Sequence, residues 1–459
     1  MLASPSENQT LEFKEARTQF DNKKLYEYCV ALANEGGGHL LLGVTNKRPR
    51  KVVGSQAFND PVAMAAKLFE MVGFRVDIEE VQHPDGRVVV FHIPSRPRGT
   101  AYHLDGKYQM RSGEELQPMS EDQLRRIFAE GGPDWSQEYS KTGLDGQQVV
   151  ELLDTQAFFE LMRRPYPTDR AGVLSALADE RLIDMGNGSY SIRRIGALLL
   201  AKRLSDFDDL ARKALRLVVY NENSKLDTRL DETVAKGYAV GFQEIMRLIM
   251  GMLPQKEQIV DALRKEVQLV PEAAIREVVA NAMIHQDFSV KGASIMVEVY
   301  TNRVEISNPG EPLVPVERFI DGYQSRNERI ADVMRRMRIC EEKSSGIDRL
   351  VHTAEVHRLP APVFRADFKR TSVVIFGPRS FEDMDRADRV RACYQHCSLK
   401  WVMSEHMTNQ TLRERFSLPE AKAATVSQVI AAALEAGLIK LDETSKGSRK
   451  FARYQPFWA

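Results

Sequence analysis

Two polar side chains stand four residues apart in the segment Pro271–Phe288, PEAAIREVVANAMIHQDF. The segment is predicted to be helical, and on a helix Glu277 and Asn281 share one face. A carboxylate in this position can polarise a water molecule, and an amide oxygen one turn away can coordinate a magnesium ion that bridges phosphates. Ordinary solvated helices carry the same pair, so its meaning depends on the segments that come after it in the chain.

Turns that could hold phosphates follow this helix. Two paired strands end in the turn Asn308–Gly310, and the later segment Glu341–Leu350 places a Ser-Gly turn at the start of a helix. Backbone N–H groups at a helix N-terminus attract phosphate oxygens. Glu277 is the candidate catalytic residue for nucleotide hydrolysis. The residues expected to bind the nucleotide, with Asn281 as the ligand of its metal ion, are Asn281, Asn308, Gly310, Arg326, Lys343, Ser345 and Gly346.

A second set of candidate catalytic residues lies near the N-terminus, in the sequence SENQTLEFKEA. Glu7 and Glu12 could hold a divalent cation, and Lys14 could stabilise the charge that develops on a phosphate during cleavage. These are the components of a metal-dependent nuclease. A solvated edge strand with alternating charges would have the same composition, and the residues alone do not separate the two interpretations.

The formal net charge of the whole chain is zero, so the chain as a whole does not attract nucleic acid. Its positive charge is concentrated in local patches. Nucleic-acid binding would therefore depend on basic patches and not on bulk charge. The cations predicted to contact phosphates lie in a loop, on a strand and at a C-terminal hairpin: Lys47, Arg48, Arg50, Lys51, Lys107, Arg111, Lys446, Arg449, Lys450 and Arg453. The alternatives are a loop that is merely exposed and a hairpin used for dimerisation.

The elements that would position these residues form several domains, because 459 residues are too many for one core. We expect a nucleic-acid-binding domain at 1–135, a helical middle region with a winged-helix-like element at 143–268, a nucleotide-binding domain at 269–378 and a winged helix at 386–459. In the winged helix, two apolar sets should pack together: Leu412, Phe416 and Leu418 against Val426, Val429, Ile430 and Leu434.

Three motifs of the first domain resemble the Schlafen-AlbA family: Glu7–Lys14, Leu32–Val44 (LANEGGGHLLLGV) and Gly106–Gly113 (GKYQMRSG). The resemblance covers residues 6–129 and implies nucleic-acid binding. In nucleolytic relatives a third carboxylate follows the Gly-Val pair, and this chain has Thr45 and Asn46 there. Asn lacks the anionic oxygen that a hard cation prefers. The resemblance therefore implies binding without cleavage.

Residues 269–378 resemble the GHKL-like ATPase domain, which often follows Schlafen-AlbA modules in bacterial transcriptional regulators. The resemblance rests on Glu277 and Asn281, the Asn308–Gly310 turn and the later Ser-Gly turn, and it implies bound ATP and magnesium. Two features depart from most GHKL proteins. The sequence SNPG has no adenine-reading Asp, and Ser344-Ser345-Gly346 replaces the Gly-x-Gly pair of the phosphate lid. The implied ATPase activity is therefore weak at most.

The expected protein is multidomain, α/β and α+β: a Schlafen-AlbA-type module, a helical and winged-helix-like middle, a GHKL (Bergerat)-like α/β sandwich and a C-terminal winged helix. The expected function is that of a nucleic-acid-binding, ATP-responsive transcriptional regulator. We expect it to bind DNA in preference to RNA as a homo-oligomer. The absence of an export signal and of long apolar runs predicts a cytoplasmic protein without membrane contact.

Two other functions remain open. One is a metal-dependent nuclease acting in genome defence through Glu7, Glu12 and Lys14. The other is a self-assembling scaffold that uses a nucleotide only structurally, or not at all.

Overall fold

The computed structural model describes residues 10–46, 49–97, 99–112, 115–130, 134–186, 188–260, 263–322, 324–340, 346–442 and 452–459. The chain divides into two compact units, Met1–Pro133 and Asp134–Ala459. Both mix helices with sheets, which confirms the predicted α/β and α+β multidomain class. No helix in the described ranges combines the length and apolar character of a membrane span.

The first unit contains a four-stranded sheet in the order β1-β2-β4-β3, with β1 parallel to β2 and the other neighbours antiparallel. A smaller sheet has the order β5-β6-β7. The elements are β1 Leu11–Lys14, α1 Asn22–Asn34, β2 Gly38–Leu42, α2 Pro61–Val72, β3 Asp77–His83, β4 Gly86–Ile93, β5 His103–Leu104, β6 Lys107–Ser112, β7 Glu115–Pro118 and α3 Glu121–Glu130.

The glycine run Gly36–Gly38 of the LANEGGGHLLLGV motif makes the tight turn between α1 and β2. Gly36 and Gly37 have φ values of +97° and +92°, which side chains rarely adopt. A Cβ on Gly38 would lie 2.2 Å from the backbone oxygen of Thr10. Only glycines therefore let β2 enter the sheet directly beside the start of β1.

The second unit begins with a three-stranded sheet, β8-β10-β9, surrounded by short helices. Helix α6 and the hairpin β9–β10 lie within the region 143–268, where a winged-helix-like element is predicted. The elements are β8 Tyr139–Leu144, α4 Gly146–Leu152, α5 Thr155–Leu161, α6 Arg170–Asp179, β9 Ile183–Gly186, β10 Ser189–Arg193 and α7 Arg194–Leu200.

A six-stranded sheet in the order β12-β11-β15-β16-β18-β17 forms the centre of this unit. The elements, including a separate hairpin β13–β14, are β11 Arg216–Tyr220, β12 Thr228–Thr233, α8 Tyr238–Met252, β13 Gln255–Val260, β14 Leu263–Gln268, α9 Glu272–His285, β15 Met296–Val299, β16 Arg303–Pro309, α10 Glu328–Arg336, α11 Gly346–Val356, β17 Val363–Asp367 and β18 Arg370–Phe376.

The predicted domain boundary between residues 268 and 269 cuts through this sheet and needs correction. Strand β11 pairs in parallel with β15, and parallel neighbours require a crossover connection. Helices α8 and α9 supply that crossover. The sheet-forming segment therefore starts at Arg216, inside the region assigned to a helical middle.

The C-terminal elements are α12 Arg386–Val402, α13 Asn409–Arg415, α14 Ala423–Glu435, β19 Ile439–Leu441 and β20 Tyr454–Pro456. The predicted packing of α13 against α14 is confirmed except at Leu434, which is 39% exposed. The buried positions of α14 are Val426, Val429, Ile430 and Ala433. Leu434 follows Ala433 by one residue, a rotation of about 100° that turns it away from the core.

Candidate nucleotide site and nucleic-acid surfaces

Helix α9 packs most of its apolar side chains into the core, and one polar face of it stays partly accessible. Glu277, Asn281 and His285 lie on this face at spacings of four residues, and all three are half-buried. The intervening residues 278–280 and 282–284 are buried. Burial, with a smaller contribution from Arg326, lowers the pKa of His285 to about 4. His285 is therefore neutral at physiological pH and provides no cation for a phosphate.

Glu277 and Asn281 contact each other as their spacing predicts. The Asn281 amide nitrogen donates to Glu277 Oε1 at 3.1 Å, which leaves the Asn281 carbonyl oxygen as the atom for a metal ion. Burial raises the pKa of Glu277. The hydrogen bond from Asn281 and the positive charges of Arg349 and Arg276 oppose that shift. A carboxylate whose pKa is raised towards neutrality suits a general base.

Gly346, the first residue of α11, lies directly against this pair. A Cβ at this position would stand 1.9 Å from Glu277 Oε1 and 3.2 Å from Asn281 Nδ2. No other residue fits unless α11 or the Glu277 side chain moves. The sequence identified Gly346 as part of a phosphate turn, and the structure adds its contact with Glu277. Lys343 and Ser345 lie outside the described residues.

The Asn308–Gly310 turn and Arg326 have local structural contacts at the end of α9. Gly310 has φ +104° and packs against Asp287, where a Cβ would approach the Asp287 Cβ to 2.7 Å. Arg326 pairs with Asp287 at 3.4 Å and donates to the Glu311 carbonyl at 2.7 Å. Asn308 is buried, and its amide donates to the Pro309 carbonyl at 3.1 Å. In this arrangement Asn308 and Arg326 hold the turn beside α9, and contact with a nucleotide would require them to rearrange.

The nuclease candidates of the first unit are tied into an ion-pair cluster. Glu12 is fully buried, and its carboxylate accepts from the equally buried Arg111. Lys14 Nζ lies 2.5 Å from the other Glu12 oxygen. Two cations thus occupy the carboxylate that a metal ion would need. Glu7 lies outside the described residues, and within them no group of three or more His, Cys, Asp or Glu side chains could hold a metal ion.

Arg111 was predicted to contact nucleic acid, and its position does not allow this. Its side chain is 0% exposed, so a phosphate could reach it only if the pair with Glu12 opened. Sequence reasoning missed this role because Glu12 and Arg111 are 99 positions apart. An arginine on a strand looks the same in sequence whether it faces solvent or a buried carboxylate.

Asn34 is a structural residue that sequence reasoning did not single out. Its amide donates to the carbonyls of Tyr102 and Gln109, both at 2.9 Å, and its oxygen accepts from the Tyr102 N–H at 2.9 Å. These bonds attach the end of α1 to β6 and to the segment before β5. The available signal was an amide side chain two positions before the glycine run in LANEGGG.

The remaining predicted cations differ in exposure. Lys51, Lys107 and Arg453 are exposed, whereas Arg50 lies with its guanidinium carbon 4.2 Å from the centre of the Phe13 ring. Helix α14, AATVSQVIAAALE, carries no cation, so it supplies no charge for phosphate contact in the winged helix. Five of the predicted loop and wing cations lie outside the described part of the chain: Lys47, Arg48, Lys446, Arg449 and Lys450.

Helix α11 connects the candidate nucleotide site with the winged helix. Near its end, Glu355 accepts from His396 Nδ1 of α12, which is 3.0 Å from both carboxylate oxygens. Arg415 Nε of α13 lies 3.4 Å from Glu355 Oε1. Val351 of α11 packs with Leu399 of α12 and Ile320. Gly346 and Glu355 are nine residues apart, about 14 Å along the helix axis.

Comparison with known proteins identifies two domains. Residues 7–120 match the sequence model of the family Schlafen, AlbA_2. Residues 292–375 match that of the family described as "Putative ATP-dependent DNA helicase recG C-terminal". No curated protein matches the chain. The predicted resemblance to a Schlafen-AlbA module joined to an ATPase-like domain is therefore confirmed, and the protein is nucleic-acid-related and ATPase-like.

Two solved structures are similar to this chain. A protein of Corynebacterium diphtheriae shares 16% identity at a TM-score of 0.46, with 98% of this chain and 92% of that chain covered. The N-terminal domain of an ATP-dependent DNA helicase RecG-related protein of Nitrosomonas europaea shares 20% identity at a TM-score of 0.19, with 26% of this chain and 86% of that chain covered.

Proposed function

We propose that this protein is a cytoplasmic, nucleic-acid-binding regulator, acting as a homo-oligomer on DNA in preference to RNA, whose nucleic-acid-bound state depends on ATP. One observation carries the proposal: α11 contacts Glu277 and Asn281 through Gly346 at its start and the winged helix through Glu355 near its end. A nucleotide beside Asn281 that displaces the start of α11 would also act on the winged helix.

In this proposal Asn281 holds the magnesium ion of ATP, and Glu277 orients the attacking water in any slow hydrolysis. The residues fit these roles, because the Asn281 amide nitrogen faces Glu277 and its oxygen is left for a cation. Magnesium would neutralise phosphate charge. Because Gly346 lies against both side chains, a nucleotide bound there would shift the start of α11 in this proposal, and this movement is the proposed signal.

Residue assignments in the nucleic-acid surface are also proposals. Lys51 and Lys107 are exposed in the first unit, where the family match supports nucleic-acid binding. Arg453 is exposed beside the hairpin of the winged helix. Exposed lysines contact phosphates without reading sequence. We therefore assign backbone contact to these positions and no sequence specificity.

We expect Lys51→Ala with Lys107→Ala to weaken DNA binding equally on unrelated sequences. Each lost phosphate contact should reduce the slope of log affinity against log salt concentration by about 0.9 on duplex DNA. Fluorescence anisotropy at four salt concentrations measures this slope. Arg212→Ala is the matched control, because Arg212 is an exposed cation of the second unit. A slope that the double variant leaves unchanged would remove these lysines from the nucleic-acid surface.

The nuclease alternative has less support. The carboxylate of Glu12 already pairs with Arg111 and Lys14, and Asn46 stands where nucleolytic relatives are expected to have a third carboxylate. A divalent cation would have to displace both basic side chains from a buried position, which costs several kcal/mol for each charge left unpaired.

The test of the proposed function compares DNA affinity with and without ATP and magnesium. We expect a nonhydrolysable ATP analogue to change the affinity of the wild type at least fivefold, the lower end of ordinary allosteric coupling. Asn281→Ala should bind DNA with an affinity that the analogue does not alter. If wild-type affinity is also unaffected although the analogue binds, the regulator proposal fails and a scaffold with a structural nucleotide replaces it.

A further inference from the structure

A cavity of about 410 Å³ lies between the end of β18 and the turn that joins α13 to α14. One wall comes from Arg358 and the segment Arg379–Met384, and the other from Arg415–Pro419 and Lys422. The volume lies in the range of about 300–1,000 Å³ that is usual for small-molecule sites, which often form between domains. The cavity is separate from the Glu277–Asn281 pair.

The cavity wall carries an excess of positive charge. It includes four cations, Arg358, Arg379, Arg415 and Lys422, and a single carboxylate, Glu382. Helices α11 and α13 end nearby, and each C-terminus adds about half a negative charge. Two of the four cations already have carboxylate partners outside the wall: Arg379 pairs with Asp388 at 3.3 Å and Arg415 with Glu355 at 3.4 Å. Within the described chain, Arg358 and Lys422 have no carboxylate partner, so these two side chains remain for a bound oxyanion.

Arg415 shows that the charge is built into the fold and is not only a surface feature. Its side chain is 2% exposed. One terminal nitrogen donates to the Leu359 carbonyl at 2.6 Å, but its Nε makes no hydrogen bond among the described residues. Its one carboxylate partner within the described chain, Glu355, is shared with His396. A buried guanidinium whose one carboxylate is shared with a second group is suited to donate hydrogen bonds to an oxyanion.

The same cavity has an aromatic wall. Phe381 and Phe416 pack edge to face with ring centroids 5.0 Å apart, and Leu418 and Met384 extend the apolar surface. Aromatic rings beside cations match a ligand with a flat ring and a phosphate. We propose that this cavity binds a mononucleotide, with its phosphate held by Arg358, Arg415 and Lys422 and its base against Phe416.

Such a ligand would contact both the six-stranded sheet domain and the winged helix. Arg358 and Arg379 follow α11 and β18, whereas Phe416 and Lys422 belong to the winged helix. The ligand would therefore stabilise the docking of the winged helix. This inference is independent of the ATP proposal, because it uses none of the residues around Asn281.

Calorimetric titration of the full chain with AMP, adenosine and inorganic phosphate tests the proposal. Asn281→Ala serves as the background that removes the proposed ATP site. In that background AMP should bind at least tenfold more tightly than adenosine or phosphate alone. Arg358→Glu with Lys422→Glu should weaken AMP binding at least about tenfold, because two phosphate-facing charges change sign. Both side chains are exposed, so the fold should tolerate the change, and Arg212→Glu is the control.

Four results would overturn the proposal. In the first, AMP does not bind in the Asn281→Ala background. In the second and third, adenosine or phosphate binds as tightly as AMP. In the fourth, the charge reversal leaves the affinity for AMP unchanged. Loss of AMP binding through Asn281→Ala alone would place the nucleotide at the α9 site. That result would support the ATP proposal while removing this one.

Discussion

Replacing Arg111 with Met should destabilise the first unit by about 3–5 kcal/mol, the usual cost of removing one partner from a buried ion pair. Glu12 would remain fully buried after losing the Arg111 charge, with Lys14 on the same strand still 2.5 Å from its carboxylate. Met retains most of the apolar volume of the Arg side chain, so the loss reports charge and not a cavity. Urea unfolding, followed by hydrogen exchange of residues 10–130, measures the effect in the full chain.

The double variant Arg111→Met, Glu12→Leu separates the ion pair from simple packing. Replacing both charges of a buried pair with apolar groups is often neutral or stabilising, so the double variant should recover most of the lost stability. Lys51→Met is the control, because Lys51 is an exposed cation of the same unit and its loss should change stability by less than about 0.5 kcal/mol. A cost below about 1 kcal/mol for Arg111→Met would contradict the structural role assigned to the pair, since removal of one partner normally costs several times more.

This pair also changes how a Glu12 variant should be interpreted. In a metal-dependent nuclease, Glu12→Ala would remove a ligand and leave the fold intact. In the observed structure the same change leaves Arg111 buried without its main carboxylate. A loss of nucleic-acid activity in Glu12→Ala could therefore result from unfolding of the first unit. Measuring the stability of the same sample separates unfolding from the loss of a metal ligand.

The sequence was informative where the function depends on neighbouring residues in one element. The Glu277–Asn281 contact follows from helical spacing, and the turn at Gly36–Gly38 follows from the conformations that glycine permits. The apolar spacing of α14 predicted three of its four named core contacts. Each of these features is decided within a few positions by backbone geometry.

The sequence was uninformative where distant segments meet. Strand β11 joins β15 across about 80 residues, and nothing in the apolar pattern of β11 distinguishes a strand of this sheet from one of the middle region. Arg111 and Gly346 show the same limit. Their contacts are with partners that only the fold brings together, Glu12 in one case and Glu277 in the other.

The largest stability change expected from the nucleotide proposal depends on Asn281. A nonhydrolysable ATP analogue with magnesium, at about a hundred times its dissociation constant, should stabilise the occupied domain by roughly 2.7 kcal/mol. Asn281→Ala removes the proposed magnesium ligand and should abolish most of that stabilisation. Glu277→Gln should keep it, because the carboxylate is needed for the water and not for binding. Thermal unfolding with and without the analogue measures these shifts.

Gly346→Ala supplies a stricter version of the same test. Its methyl group would stand 1.9 Å from Glu277 Oε1, and overpacking of this kind typically costs about 1–3 kcal/mol. If the added methyl group displaces the start of α11 as a nucleotide is proposed to do, the variant should bind the analogue at least as tightly as the wild type, despite its lower stability. If Gly346 instead cradles a phosphate in its observed position, the variant should bind more weakly. If the analogue does not stabilise the wild type, the domain resembles an ATPase but does not bind ATP. The proposal that a nucleotide acts on the winged helix through α11 would then be wrong.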